Sequence, residues 1–102
     1  MTARKPSTLA HTAKGLSPDD PRISDTIGWI LYRRGAHQRA LTLLTESAGK
    51  LPGNAQVQYH LGMVYAKLGN KENARNALGL TVNSGQSFHG MDEARKVLAD
   101  LQ

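Results

Sequence analysis

Gly62-Met63-Val64-Tyr65, continuing through Ala74 to Leu78, repeats the spacing of Gly28-Trp29-Ile30-Leu31 through Ala40 to Leu44 at a distance of 34 residues. The two copies share Gly28 and Gly62, the turn glycines Gly35 and Gly69, the small residues Ala40 and Ala74, and the leucines Leu44 and Leu78. A period of 34 residues is that of a helix–turn–helix unit, which cannot bury its apolar face alone and stacks on its neighbours. That spacing predicts an all-helical stack and leaves little room for any other architecture.

Composition agrees. The chain has 102 residues, enough for one domain with a modest core but not for a deep enclosed cavity. With one Phe and one Trp, its apolar material is mainly Leu, Ala, Val and Ile, which suits helices better than a β-sandwich. The formal charge of +5 suits an acidic partner, yet the basic residues are scattered and no block of five like charges occurs. Cysteine is absent, which excludes disulfides, thiolate metal sites and cysteine nucleophiles together. No run reaches the 18 apolar residues of a membrane span, and Met1 to Leu16 lacks the apolar centre of a secretory signal. A soluble chain is expected, cytoplasmic or, as a fragment of an exported protein, periplasmic.

Taken in order, Ser7 to Lys14 is predicted as a short helix stopped by Gly15. Asp20 is placed to cap the next helix, with Pro21 in its first position. Ile23 to Arg34 is predicted to be helical with Ile23, Ile27, Ile30 and Leu31 on its apolar face, followed by a turn at Gly35-Ala36. His37 to Ala48 then sets Ala40, Leu41, Leu44 and Ala48 on one side and stops at Gly49. Asn54 caps Ala55 to Leu68, with Val57, Leu61, Val64, Tyr65 and Leu68 as its stripe. Gly69-Asn70 ends that helix and caps Lys71 to Val82, whose Ala74, Ala77, Leu78 and Thr81 face inward. Lys96 stands where the next repeat would need glycine, so the amphipathic stretch Met91 to Leu101 is expected to be a single terminal helix that caps the stack. The division is residues 1–20 as a tail and remnant helix, 21–54 and 55–88 as two repeats, and 89–102 as the cap. Gly28 and Gly62, costly inside helices, are expected to admit Ala40 and Ala74 from the partner helix.

On Ile27/Leu61, Gly28/Gly62, Leu31/Tyr65, Ala40/Ala74, Leu44/Leu78 and Pro52, the chain resembles the tetratricopeptide repeat (TPR) family. It departs from the family pattern at Ser24 and Gln58, where an aromatic is usual, at Ser47 and Thr81, where alanine is preferred, and at Gln86, which replaces a second proline. The stretch from Leu51 onward also resembles the carboxy-terminal part of longer bacterial TPR proteins. The resemblance implies a right-handed α-α superhelix, a non-catalytic scaffold, and a peptide or protein partner held in a concave groove. That groove would be lined by Arg22, Asp25, Trp29, Tyr32 and Arg33 from the first repeat and Gln56, Tyr59, His60, Met63 and Lys67 from the second. The carboxylate clamp of some family members needs a groove asparagine, which neither first helix provides.

Two readings stand for Trp29, an exposed anchor or a side chain packed on Leu9 and Ala13. The four histidines, His11, His37, His60 and His89, include no pair at the i, i+4 spacing of a helical zinc site. Asp19-Asp20 and Asp92-Glu93 read as helix-start charges, and no phosphate-binding glycine loop occurs. No catalytic residue, metal or cofactor is therefore expected. A second function class rests on charge: Arg33, Arg34, Arg39, Lys67, Lys71 and Arg75 cluster near the intra-repeat turns and could form a basic ridge for RNA or another polyanion. An open amino-terminal face could also pair weakly with a second copy.

Overall fold

A computed structural model describes residues 20–102. The predicted helix at Ser7 to Lys14, and with it Leu9 and Ala13, lies outside the described residues. Five helices follow Asp20: α1 (Pro21–Arg33), α2 (His37–Lys50), α3 (Ala55–Lys67), α4 (Lys71–Val82) and α5 (Met91–Leu101). Among the described residues there is no strand, and no helix is long and apolar enough to cross a membrane. The most extensive packing is α1 on α2 and α3 on α4, with α2 against α3 and α4 against α5 joining the pairs. Smaller contacts link α1 to α3 and α3 to α5.

Local chemistry fixes most helix ends. Asp20 accepts from the Arg22 N–H at 2.9 Å, with Pro21 in the first turn. Asn54 accepts from Val57 at 3.0 Å, and Asn70 from Asn73 at 3.2 Å. Both intra-repeat turns are Schellman motifs built on a left-handed glycine, Gly35 at φ +88° and Gly69 at φ +81°. The 6→1 bonds, Ala36 N–H to the Leu31 carbonyl and Asn70 N–H to the Tyr65 carbonyl, are each 2.9 Å. Three boundaries differ from expectation. α1 starts at Pro21, as expected of a proline pre-set for the first helical position, but ends at Arg33, with Arg34 as its cap. α2 passes through Gly49 to Lys50, because Gly49 keeps a negative φ and Leu51 N–H bonds the Ser47 carbonyl. α3 ends at Lys67, with Leu68 as its cap.

Gly28 and Gly62 are points of close approach, but their partner is not the one expected. A Cβ on Gly28 would lie 2.8 Å from Cγ of Leu44, and one on Gly62 would lie 2.6 Å from Cγ of Leu78. The leucine one turn beyond each alanine enters the notch, and Ala40 offers only its carbonyl oxygen, 3.4 Å away. Two departures from the family pattern carry a second recurring contact. Ser47 Oγ donates to the Pro21 carbonyl at 2.7 Å, and Thr81 Oγ1 donates to the Ala55 carbonyl at 3.2 Å. In each repeat a buried hydroxyl on the second helix thus satisfies the first carbonyl of the first helix. Gln86 ties one loop to another: its Oε1 accepts from Ala55 N–H at 2.9 Å and its Nε2 donates to the Gly53 carbonyl at 2.8 Å.

The apolar face expected on α1 is only partly used. Leu31 packs against the core, but α1 buries Ser24, Asp25 and Gly28, whereas Ile30 is 48% exposed and Ile23 and Ile27 line an open recess. Val57, Leu61 and Val64, the residues 34 positions later, are 2%, 8% and 0% exposed because α2 covers them with Ala40, Leu44 and Ala48. Among the described residues, α1 lacks a helix in the position that α2 holds on α3. At the other end, α5 lays Ala94, Val97, Leu98 and Leu101 on a cluster with Tyr59, Met63 and Leu78. Arg75 Nη1 donates to the Leu101 carbonyl at 3.1 Å.

These contacts predict opposite outcomes for two helical glycines. Gly62→Ala should lower stability in chemical denaturation by about 1–2 kcal/mol, overpacking against the Leu78 branch outweighing the helix-propensity gain. Gly79→Ala, where nothing lies within 4 Å of the added methyl, should raise it by about 0.5–1 kcal/mol. Ending the chain at Ser87 should expose Leu78, Met63 and Tyr59 and produce aggregation in size-exclusion chromatography; a monomer of unchanged stability would contradict the packing role given to α5.

Candidate partner-binding groove

The first helices of the two repeats, α1 and α3, share an edge, and beside it lies a groove of about 570 Å³. α1 contributes Trp29, Tyr32 and Arg33, and α3 contributes Gln56, Tyr59, His60 and Met63. A wall made of Phe88, His89 and Gly90, with Glu93 from the first turn of α5, completes it. Seven of the ten residues expected at the site are thus brought together. Arg22 is not among them: it is exposed at the start of α1 and paired with Asp20 at 3.2 Å. Lys67 is exposed at the end of α3 and does not line the groove. Asp25 is buried beneath it.

Several side chains expected as accessible contacts are structural. Tyr59, His60 and Met63 are 5%, 4% and 8% exposed, because α3 packs against all four other helices. They form the floor of the groove. His60 Nδ1 lies 2.7 Å from Asp25 Oδ1, a buried bond that joins α3 to α1. Tyr59 Oη donates to the Glu93 carboxylate, joining α3 to α5. These links follow the repeat: Asp25, Tyr59 and Glu93 are spaced 34 residues apart. Burial pushes the Tyr59 phenol well above its ordinary range, its bond to Glu93 and the charge there add to the rise, and the Arg33 charge opposes it. The Tyr32 phenol is raised by burial and then by the Glu93 charge. Both phenols therefore remain protonated donors through the neutral range.

The rings form a continuous surface. Trp29 stacks on Tyr32 at 4.6 Å between centroids and on His60 at 4.1 Å, and Tyr59 sits tilted at 5.5 Å from Trp29 and from Phe88. Trp29 is half-buried, so it packs on its neighbours and still faces the groove. Gly90 is required by this arrangement: a Cβ there would meet Phe88 Cε2 at 2.6 Å and Tyr59 Cε2 at 2.8 Å. Phe88, His89, Gly90 and Glu93 were not foreseen as site residues. The available signal was Phe88, the chain's sole phenylalanine, followed closely by a glycine and by Glu93 in step with Tyr59.

The expected basic ridge is divided. Arg34, Arg39, Lys67 and Lys71 are exposed, but Arg33 lines the groove and Arg75 is engaged by the Leu101 carbonyl. Among the described residues no three His, Asp or Glu side chains come together as a group able to hold a metal ion.

Comparison with known proteins agrees with this geometry. The sequence pattern described as tetratricopeptide repeat matches residues 31–88. A TPR repeat-containing protein of Pseudomonas aeruginosa is 41% identical over 54 residues, which are 53% of this chain and 9% of that protein. The chain therefore spans less than a tenth of that relative's length. With more than half of its residues matched, and with turns, glycine notches and hydroxyl bonds recurring every 34 residues, the chain belongs to the tetratricopeptide repeat family.

Proposed function

We propose that this chain is a non-catalytic scaffold that holds a peptide or an extended protein segment in the groove between α1, α3 and the Phe88–Glu93 wall. Tetratricopeptide repeats in general mediate protein–protein interactions, and the lining of this groove supports locating that role in it. The observation that carries the proposal is Trp29: half-buried, stacked on Tyr32 and His60, and backed by the buried His60–Asp25 bond. An aromatic ring held in one orientation before the partner arrives loses little entropy on binding, and such residues supply most of the energy of small interfaces. Residues 21–54 and 55–88 serve as the two repeat units, and residues 89–102 close the stack and build the far wall.

The test uses twelve-residue peptides selected from a random displayed library against the protein. A selected peptide should shift the Trp29 indole and Gln56 amide signals in heteronuclear NMR. Trp29→Leu should weaken it at least tenfold, a loss of about 1.4 kcal/mol, with helicity by circular dichroism retained. Peptides that shift Leu80 and Asn83, which line a separate recess with Pro52 and Arg75, and leave Trp29 untouched would place the binding surface elsewhere.

A further inference from the structure

The charged groups around the groove are not equally committed. Asp25 is taken by His60 and Glu93 by Tyr59, so both carboxylates have partners within the fold. Arg33 is exposed, and its side chain makes no hydrogen bond or ion pair among the described residues. Gln56 and His89, both exposed, stand on the same rim with no hydrogen bond to another described residue. The spare donor capacity is therefore concentrated on one full positive charge beside an apolar wall, while Glu93 keeps its negative charge but has one oxygen taken by the Tyr59 phenol. Arg34, next along the chain, is also exposed and adds to the positive potential there.

We propose, resting on the groove function above, that the bound segment is acidic: an Asp or Glu side chain pairs with Arg33 while an apolar side chain close to it in sequence lies on Trp29, Tyr32 and Phe88. A guanidinium offers a carboxylate two parallel N–H donors, and a pair formed beside an apolar wall is screened less than one in open water. Among the described residues no second Lys or Arg lines the groove. A single cation suits one side-chain carboxylate on its own tether, rather than a chain terminus held by several donors. The same cation disfavours basic segments, so it sets specificity by repulsion as well as attraction.

The displayed library is chosen so that no peptide has a free carboxyl terminus. Against the wild-type protein, the recovered peptides should be enriched in Asp or Glu within two residues of Phe, Leu, Ile or Trp. A synthetic amidated peptide from that pool should bind at least tenfold more weakly when its acidic residue becomes the amide, and equally so to Arg33→Gln. Selection on Arg33→Glu should recover Lys- or Arg-bearing peptides instead. Peptides that perturb Trp29 but show no acidic enrichment, or are indifferent to Arg33→Gln, would overturn this inference and leave the groove function standing. So would groove affinity appearing only when the peptide is made with a free carboxyl terminus. If no peptide perturbs the groove, or if a twelve-nucleotide oligouridine binds Arg33 more tightly than any peptide, both proposals fail.

Discussion

The seating of one leucine in one glycine notch sets the spacing on which the rest of this structure depends. Leu44 enters at Gly28 and Leu78 at Gly62, and both leucines are completely buried. A methyl group in either notch would push the paired helices apart, and the hydroxyl bonds from Ser47 and Thr81 to the first carbonyls of α1 and α3 would lengthen with them. The apolar contact determines how close the helices come. The hydrogen bond, one per repeat, determines how far they slide. Together they make two units similar enough to stack with a common geometry, which a short chain with a small core achieves by repetition.

The groove follows from that stacking. Once α1 and α3 lie side by side, Asp25 meets His60, and when α5 is added Tyr59 meets Glu93. The first link lies buried beneath the groove and the second at its wall, and both leave the ring of Trp29 facing the groove. The polar bonds that hold successive helices together thus also fix the proposed recognition surface. This explains why the floor residues are poor choices for probing binding alone: removing Tyr59 or Met63 disturbs the core cluster with Leu78 and Ala94 before it disturbs a ligand.

Much of this was legible in the sequence, for a physical reason. Period, caps and turn glycines are local properties, so Asp20, Asn54, Gly35 and Gly69 announced their roles directly. The two positions noted as departures, Ser47 and Thr81, were visible as unusual, but their carbonyl partners lie 26 residues away and emerge only when the pair has folded. Pairing Gly28 with Ala40 failed because matching small residues says nothing about which turn of the opposite helix faces the notch. The burial of Tyr59, His60 and Met63 was hidden because it depends on α5 and on the Phe88–Gly90 wall, where the chain leaves its period. Side chains in an irregular connection have no helical phase from which to infer direction.

Among the described residues no helix covers the stripe of Ile23, Ile27 and Ile30, and that has a thermodynamic consequence. α3 is buried on nine of its thirteen residues, whereas α1 buries three of thirteen and carries Trp29, Tyr32 and Arg33. Local opening follows such differences in coverage, so among the described residues α1 is an edge that opens more readily than α3. A segment that touches both α1 and α3 binds only when the edge is in place, and its binding energy is shared with the folding of that edge. A partner in the proposed groove would then be a splint as well as a cargo: it would add to the stability of the helix that holds it, and its hold would weaken as that helix frays.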